Sequence, residues 1–170
     1  PFIHGGASGA LERTAPEVRI GSAGRVSADA AGYGSGTGPG AGATNYDAPG
    51  GGGAYGGQGG RSGATYPAPG GSPYGSLAQP QELGSGGGGA LRGYAPLVDG
   101  GRGGGRLKIN ASTLKLDGTI SANGQAGVDD GWYRKSGGGG SGGTALITAA
   151  RLEGSGAVTA NGGPSRFSGG

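Results

Sequence analysis

The feature that most constrains the fold is a gapless internal repeat in the second half of the chain. Shifting the sequence by 38 residues places segment 107–124 on segment 145–162. The aligned positions are Leu107 and Ala145, Ile109 and Ile147, Ala111 and Ala149, Leu114 and Leu152, Gly118 and Gly156, Ile120 and Val158, Ala122 and Ala160, Asn123 and Asn161, and Gly124 and Gly162. Self-similarity at a fixed spacing predicts repeated structural units that stack and share one core.

Within each copy, apolar and polar residues alternate, as expected for strands with one buried face. The segment RLKINAS places Leu107, Ile109 and Ala111 on one side of a strand, with Lys108 and Asn110 on the other. The segment GTISANG repeats this alternation, and its Asn-Gly pair tolerates positive φ. Each copy therefore predicts a strand, a tight corner, a second strand and an Asn-Gly turn. Ordinary hairpins in an open sheet remain an alternative.

A shorter copy of the same phrase lies near the start of the chain. The alignment pairs Val18 with Leu107 and Ile20 with Ile109 and then, after a five-residue contraction, pairs Val26, Ala28 and Asp29 with Ile120, Ala122 and Asn123. Here VSADA replaces ISANG, so this copy departs from the Asn-Gly pattern.

The glycine tracts between the copies are also patterned. In GYGSGTGPGAGA glycine recurs at every second position, whereas in GAYGGQGGRSG it recurs at every third. A period of three is that of polyproline II, in which glycine on one edge lets neighbouring backbones approach closely. These tracts therefore predict packed polyproline II segments, with irregular loops as the alternative.

Composition decides between an ordered chain and a flexible linker. The 170 residues include 50 Gly, and Leu, Ile, Val and Phe together make up only about 13% of them. The formal net charge is only +3, whereas disorder at such low hydrophobicity usually accompanies high net charge. So few aliphatic side chains cannot alone offset the backbone entropy lost on folding. We therefore expect close backbone packing, and burial against further copies.

Together these patterns predict an all-β fold with little or no α-helix. Its short strands would stack as a β-helix or solenoid, or as a β-sandwich, with glycine-rich polyproline II segments. The predicted divisions are an N-terminal extension (1–14), a first strand repeat (15–30), a glycine-rich insertion (31–105), a second strand repeat (106–126), a glycine-rich loop (127–143), a third strand repeat (144–163) and a C-terminal tail (164–170).

Several phrases in order resemble glycine-rich repeat modules of very large secreted or cell-surface proteins of bacteria and some protists. These phrases are AYGGQGG (54–60), YGSLAQPQELGSGGGGA (74–90), GGGRLKINASTLKLDGTISANG (103–124) and GGGGSGGTALITAARLEGSGAVTANGG (137–163). The resemblance covers roughly residues 15–170. It implies a structural role, such as an adhesin stalk, a surface layer or an extracellular filament, and it implies no shared catalytic motif.

The sequence offers no convincing catalytic, cofactor-binding or metal-binding site. There is no Cys, and the single histidine, His4, lies near the start of the sequence. Matches to G-x-G-x-x-G are expected by chance among so many glycines, and none opens a helix after a strand. The 13 Lys and Arg residues are scattered, so a nucleic-acid partner is not expected. No apolar run is long enough to span a membrane. We therefore predict a chain that is not an enzyme and has no cofactor.

The candidate contact residues are aromatic and acidic side chains within or beside the glycine tracts. They are Asp129, Asp130, Trp132, Tyr133, Tyr55 and Tyr74. The segment DDGWYRK interrupts the glycine between two copies, which favours a protruding loop. An aromatic residue here has three candidate roles: filling space between backbone layers, docking a neighbouring subunit, or stacking on a sugar. Asn110, in the sequon Asn-Ala-Ser, is a candidate glycosylation site.

The leading functional hypothesis is a structural one. The chain would be a repeat module or subunit of an extracellular filament or cell-surface layer, with further copies of itself as partners. A glycan-binding adhesin module is the main alternative, and an ice-binding protein is a weaker one. All three place the chain outside the cell or at its surface.

Overall fold

The computed structural model describes residues 2–4, 9–46, 48–63, 65–92, 95–129 and 135–165. Within these ranges the chain forms nine β-strands and no helix, and 33% of the structure is strand. The strands are β1 (Phe2–His4), β2 (Ala10–Ile20), β3 (Arg25–Ser27), β4 (Ala90–Arg92), β5 (Ala95–Val98), β6 (Arg106–Leu116), β7 (Thr119–Ser121), β8 (Thr144–Glu153) and β9 (Ala157–Thr159).

Two small parallel sheets organise the repeated parts of the chain. The long strands form one sheet in the order β2-β6-β8, and the short strands form the other in the order β1-β3-β7-β9. Strands β4 and β5 form a separate antiparallel pair. Each repeat therefore contributes one long and one short strand to a layer, and three such layers lie in register, with β1 added beside β3.

The register of the sheets confirms the repeat in the second half of the chain. Strand β6 pairs with β8 so that Ile109 lies beside Ile147 and Leu114 beside Leu152. Strand β7 pairs with β9 so that Ile120 lies beside Val158. Equivalent positions in the two copies are therefore neighbours in space, as stacking of repeats requires.

The alignment predicted for the first half of the N-terminal copy is wrong. Val18 lies beside Leu114 and Ile20 beside Leu116, whereas the residue beside Ile109 is Arg13. Strand β2 begins at Ala10, earlier than the predicted repeat boundary at residue 15. The charged Arg13 interrupts the apolar alternation of β2, so the sequence pattern indicates this strand only in its second half. The second half of the alignment is correct, since Val26 lies beside Ile120.

A buried aliphatic cluster draws on both parallel sheets. Its members are Ile20, Val26, Ala28, Leu107, Ile109, Leu114, Leu116, Ile120 and Ala122. The alternation predicted for β6 holds at Leu107 and Ile109 and then changes phase, because Leu114 and Leu116 are buried as well. The change occurs where the strand ladders are interrupted, since no partner register includes Pro16 or Ser112. Pro16 lacks the N–H group that a ladder needs.

The predicted Asn-Gly turns do not form. Neither Asn123 nor Gly124 has a positive φ, and among the described residues other than glycine only Ala30 does. The chain instead passes from β7 and β9 into glycine-rich segments that stay side by side, with Gly124 N–H donating to Asn161 O at 2.8 Å. Asn123 has a different role, described below.

Glycine-rich segments pack against one another through their backbones. We call segments 84–89, 100–105 and 137–143 the glycine core, because nearly all of their residues are buried. Three hydrogen bonds link them in a cycle: Gly87 N–H to Gly101 O, Gly101 N–H to Gly138 O, and Gly138 N–H to Gly88 O, at 2.8–2.9 Å. A Cβ atom at most of these glycines would overlap a neighbouring carbonyl group, as at Gly86 against Gly34 O.

The predicted fold class is therefore wrong in its main statement. The described residues contain strands and no helix, but most of them have no regular secondary structure, and the two sheets do not close into a solenoid. No helix or strand lies within the glycine core. The physical reason is that glycine backbones here hydrogen-bond between segments distant in sequence, rather than along a continuous ladder of repeats.

Candidate functional site: the open edges of the stacked sheets

The last layer of the stack leaves one side of both sheets unpaired by any described strand. We call β8 and β9 the β8–β9 edge. Its apolar residues continue the buried stripe of the layer beneath. Ala145, Ile147 and Ala149 are partly buried and pack against the aliphatic cluster, whereas Leu152 and Val158 face solvent. Leu114 and Ile120 are 0% exposed, whereas their register partners Leu152 and Val158 are 65% and 46% exposed. The layer is therefore built for burial on a side where the described chain supplies no cover.

The opposite end of the stack, which we call the β2–β3 edge, carries an apolar groove of about 500 Å³. Its lining residues are Leu11, Glu12, Arg13, Glu17, Val18, Arg19, Ile20, Val26 and Ile109. Leu11 and Val18 pack against the aliphatic cluster while remaining partly exposed. Strand β1 pairs with β3, so the short-strand side of this edge is covered, whereas the long strand β2 is the last strand of its sheet.

Oppositely charged residues flank the apolar positions at both edges. On β2, Arg19 Nε lies 2.7 Å from Glu17 Oε1, and on β8 Arg151 is paired with Glu153. All four of these side chains are substantially exposed. Within the stack, Lys108 Nζ of β6 lies 2.8 Å from Glu12 Oε1 of β2. The Lys108 ammonium holds the pKa of Glu12 below its usual value through a hydrogen bond and its charge.

A ladder of side-chain oxygens runs through the three layers just beyond the short strands. Asp29 Oδ1 accepts a hydrogen bond from Asn123 N–H at 2.7 Å, and Asn123 Oδ1 accepts one from Asn161 N–H at 2.8 Å. Burial pushes the pKa of Asp29 upward, but hydrogen bonds from Asn123 N–H, Ser121 and Ser27, and from Arg25, outweigh it and leave the pKa below its usual value. The carboxylate is thus held in its charged form at the first rung.

Tyr55 and Tyr74, two predicted contact residues, lie against each other inside the glycine-rich part of the chain. Their ring centroids are 5.1 Å apart with an interplanar angle of 60°. Tyr55 Oη lies 2.8 Å from Thr144 Oγ1, and Tyr74 Oη donates to Leu83 O and accepts from Ser85 Oγ. Burial raises the pKa of Tyr74. The pair therefore joins a glycine-rich segment to the start of β8.

Of the other predicted site residues, the structure describes Asp129 and Asn110. Asp129 is exposed and forms an isolated antiparallel bridge with Ser136. Asp130, Trp132 and Tyr133 lie outside the described residues. Asn110 lies in β6, on the side opposite the buried Ile109, and its Nδ2 is 3.4 Å from Thr14 Oγ1. It remains a candidate for glycosylation.

A wider polar groove of about 1090 Å³ lies between glycine-rich segments. Arg61, Tyr66, Gln58 and Ser136 are among its lining residues, together with many glycines. Tyr66 is 80% exposed, whereas the Oγ of Ser136 is buried and has no hydrogen-bond partner among the described residues.

The described part of the chain holds no candidate metal centre. No group of three or more acidic or histidine side chains there is placed to hold a metal ion. Nor does that part include a helix with the length and hydropathy needed to cross a bilayer.

Sequence reasoning missed the edge charges and the Asp29 rung. The signal was present, because the motif Glu-Val-Arg of β2 and the motif Arg-Leu-Glu of β8 place opposite signs around an aliphatic residue. Only the correct register of β2 makes these motifs equivalent.

No protein-family model matches this chain, and comparisons with curated proteins and with solved structures also found no match.

Proposed function

We propose that this chain is a structural module that assembles with further copies into an extracellular filament or cell-surface layer. The observation that carries the proposal is the solvent exposure of Leu152 and Val158 in a layer whose counterparts are fully buried. Unpaired strands with apolar side chains are templates for pairing with another chain, and monomeric proteins usually blunt them with charge or cover.

The chemistry of the rest of the chain supports the same role. Glycine backbones fill the interior, and the partly buried tyrosines have internal partners, so the described residues present surfaces rather than reactive groups. If copies of the chain stack on one another, each contact needs only that the surface at one end of the strand layers fits the surface at the other end. The extracellular location rests on the resemblance to glycine-rich surface modules.

The test is whether the purified full chain assembles with concentration. We expect sedimentation velocity and negative-stain electron microscopy to show a continuous series of species that lengthen as concentration rises. Substituting Leu152→Lys together with Val158→Lys is expected to abolish this growth, because charges would be buried at the contact. Leu77→Lys is the matched control, since Leu77 is 91% exposed but lies outside both edges. A wild-type chain that stays monomeric at millimolar concentration would overturn the proposal.

A second candidate function, glycan binding, is favoured by the wide polar groove. Tyr66 offers an exposed ring for stacking on a sugar face, beside the hydrogen-bonding groups of Arg61 and Gln58. Glycan-array binding that is lost in Tyr66→Ala but retained in Tyr46→Ala, another exposed tyrosine, would support this role. Equal array signals for the wild type and Tyr66→Ala would exclude this groove as the site.

A further inference from the structure

We infer that the partner of the β8–β9 edge is the β2–β3 edge of a second copy, paired in parallel and in the register that the chain already uses internally. This inference rests on the proposed function and deepens it, because it names both surfaces of the contact. It gives the assembly a direction, because one end of every filament presents a β8–β9 edge and the other end presents a β2–β3 edge.

The register follows from the two internal pairings of the long strands. Ala10 lies beside Arg106, and Arg106 lies beside Thr144, so one further step places Ala10 of the next copy beside Thr144. The same step places Val18 of that copy beside Leu152. The exposed leucine would then meet the apolar groove of the β2–β3 edge, which Val18 lines. The stripe of aliphatic side chains would thus continue into the next copy at Val18, and it would be interrupted at Arg13, which the same step places beside Ile147.

Charge complementarity selects this register over other ways of covering the edge. With Val18 on Leu152, Glu17 lies beside Arg151 and Arg19 beside Glu153. Both flanking pairs therefore have opposite signs. The sheet already shows that register partners of opposite charge bond across strands, since Glu12 and Lys108 are register partners with an ion pair of 2.8 Å. A slip of one residue would separate these pairs and turn the leucine to the other face.

The short strands give an independent match at the same step. Arg25 lies beside Thr119 and Thr119 beside Ala157, so the next layer places Val26 on Val158. It also brings Asp29 of the next copy above Asn161, the last rung of the oxygen ladder. Asn161 Oδ1 can then accept the Asp29 N–H, which within one copy donates to Ser27 Oγ at 3.1 Å, as Asp29 and Asn123 accept from the layers above them.

Strand β1 is the internal competitor for this contact. It pairs with β3 in parallel, with Ile3 beside Val26, and so occupies the place that β9 of another copy would take. This pairing involves three residues, whereas the contact between copies offers a long ladder on β2 and a short one on β3. We infer that β1 caps the stack and is displaced on assembly. Deleting residues 1–8 is therefore expected to lower the concentration at which assembly begins by about tenfold.

The contact is heterologous, since two different surfaces meet, and such contacts generate open filaments when no rotation closes a ring. Three strand layers per copy correspond to an axial rise of about 14 Å at the usual strand spacing. A rise of this size in filament images is part of the expected result.

The test uses two charge-swapped variants of the full chain. One carries Glu17→Arg with Arg19→Glu, and the other carries Arg151→Glu with Glu153→Arg. Each swap keeps the ion pair within its own strand with reversed sign. Lys115 is the register partner of both Arg19 and Glu153, so Arg19→Glu gains an opposite charge beside it and Glu153→Arg loses one. The effect of such exposed pairs on folding is expected to be small, and the melting temperature of each variant measures it. Alone, each variant faces like charges at every contact, and we expect assembly to need at least tenfold higher concentration. An equimolar mixture is expected to assemble as the wild type does, because every contact between unlike variants restores opposite signs.

Each outcome decides a different point. Loss of assembly in each variant and recovery in the mixture support the inferred contact, provided that both variants keep the wild-type melting temperature. Wild-type assembly by each variant alone would overturn this register while leaving the proposed function in place. Failure of the mixture to recover would also overturn it. A wild type that never assembles would remove the proposed function itself.

Discussion

In the two parallel sheets, buried aliphatic side chains hold the layers together, whereas in the glycine core the backbones themselves are in contact. Leu107, Ile109 and Leu114 fill the space between the sheets. Between the segments of the glycine core there is no such space, since a Cβ atom at Gly87 or Gly103 would overlap a neighbouring carbonyl group. The two regions thus share dense packing but reach it by opposite means.

The comparison shows what glycine does in this chain. None of the five described glycines with positive φ lies in the glycine core. Its glycines therefore adopt backbone conformations open to other residues, and they are needed for the absence of a side chain. Hydrogen bonds between distant segments replace the dispersion contacts that side chains supply in the sheets. The region has a linker-like composition but an interior built of backbone.

The largest effect is expected from adding one methyl group to the glycine core. In Gly86→Ala the new Cβ would overlap the carbonyl of Gly34, and hydrogen bonds hold the backbone of both residues in place. We expect the free energy of unfolding to fall by about 4 kcal/mol or more, beyond ordinary overpacking. Chemical denaturation followed by circular dichroism measures it.

The control is Gly57→Ala, because a Cβ atom at Gly57 meets nothing within 4 Å. It is expected to change stability by less than about 1 kcal/mol, and its lower backbone freedom in the unfolded chain favours the folded state. Equal effects of the two substitutions would show that backbone contact is not what holds the glycine core.

A smaller loss is expected from removing side chain in the sheets. Leu114→Ala leaves a cavity at a fully buried position, which costs about 3 kcal/mol. Leu152→Ala is the control, because Leu152 is the register partner of Leu114 but is 65% exposed. In dilute, unassembled protein Leu152→Ala is expected to cost well under 1 kcal/mol. Thermal unfolding of both variants tests this, and similar losses would mean that the last layer is covered.

The smallest effect concerns the charged rung at the junction of the two regions. Hydrogen bonds keep the pKa of Asp29 below its ordinary value, so this group stabilises the fold above the ordinary pKa and loses that contribution as pH falls through its folded value. Asp29→Asn is expected to cost about 1–2 kcal/mol at neutral pH. The gap between the wild type and Asp29→Asn should narrow in denaturation curves recorded towards pH 3. A constant gap down to that pH would contradict the role of the carboxylate.

The sequence predicted the repeat and the strands of its two C-terminal copies, because the aliphatic alternation there is clear at Leu107, Ile109 and Ile120. It misplaced β2, because a strand at the end of the stack is only partly buried and tolerates Arg13 where the middle strand β6 carries Ile109. It also predicted Asn-Gly turns from local preference, whereas Asn123 is held by its layer neighbours. Contacts between layers have no local signature, so the edge charges could be found only once the register was known.

Glycine in the glycine core has a consequence for how such a gene can change. Every missense mutation of a glycine codon adds at least a Cβ atom, so no conservative replacement exists at positions such as Gly87 and Gly138. Exposed glycines such as Gly57 and Gly63 carry no such restriction. Variation among related genes should therefore be confined to the exposed glycines, although both kinds of glycine lie close together in the same low-complexity sequence.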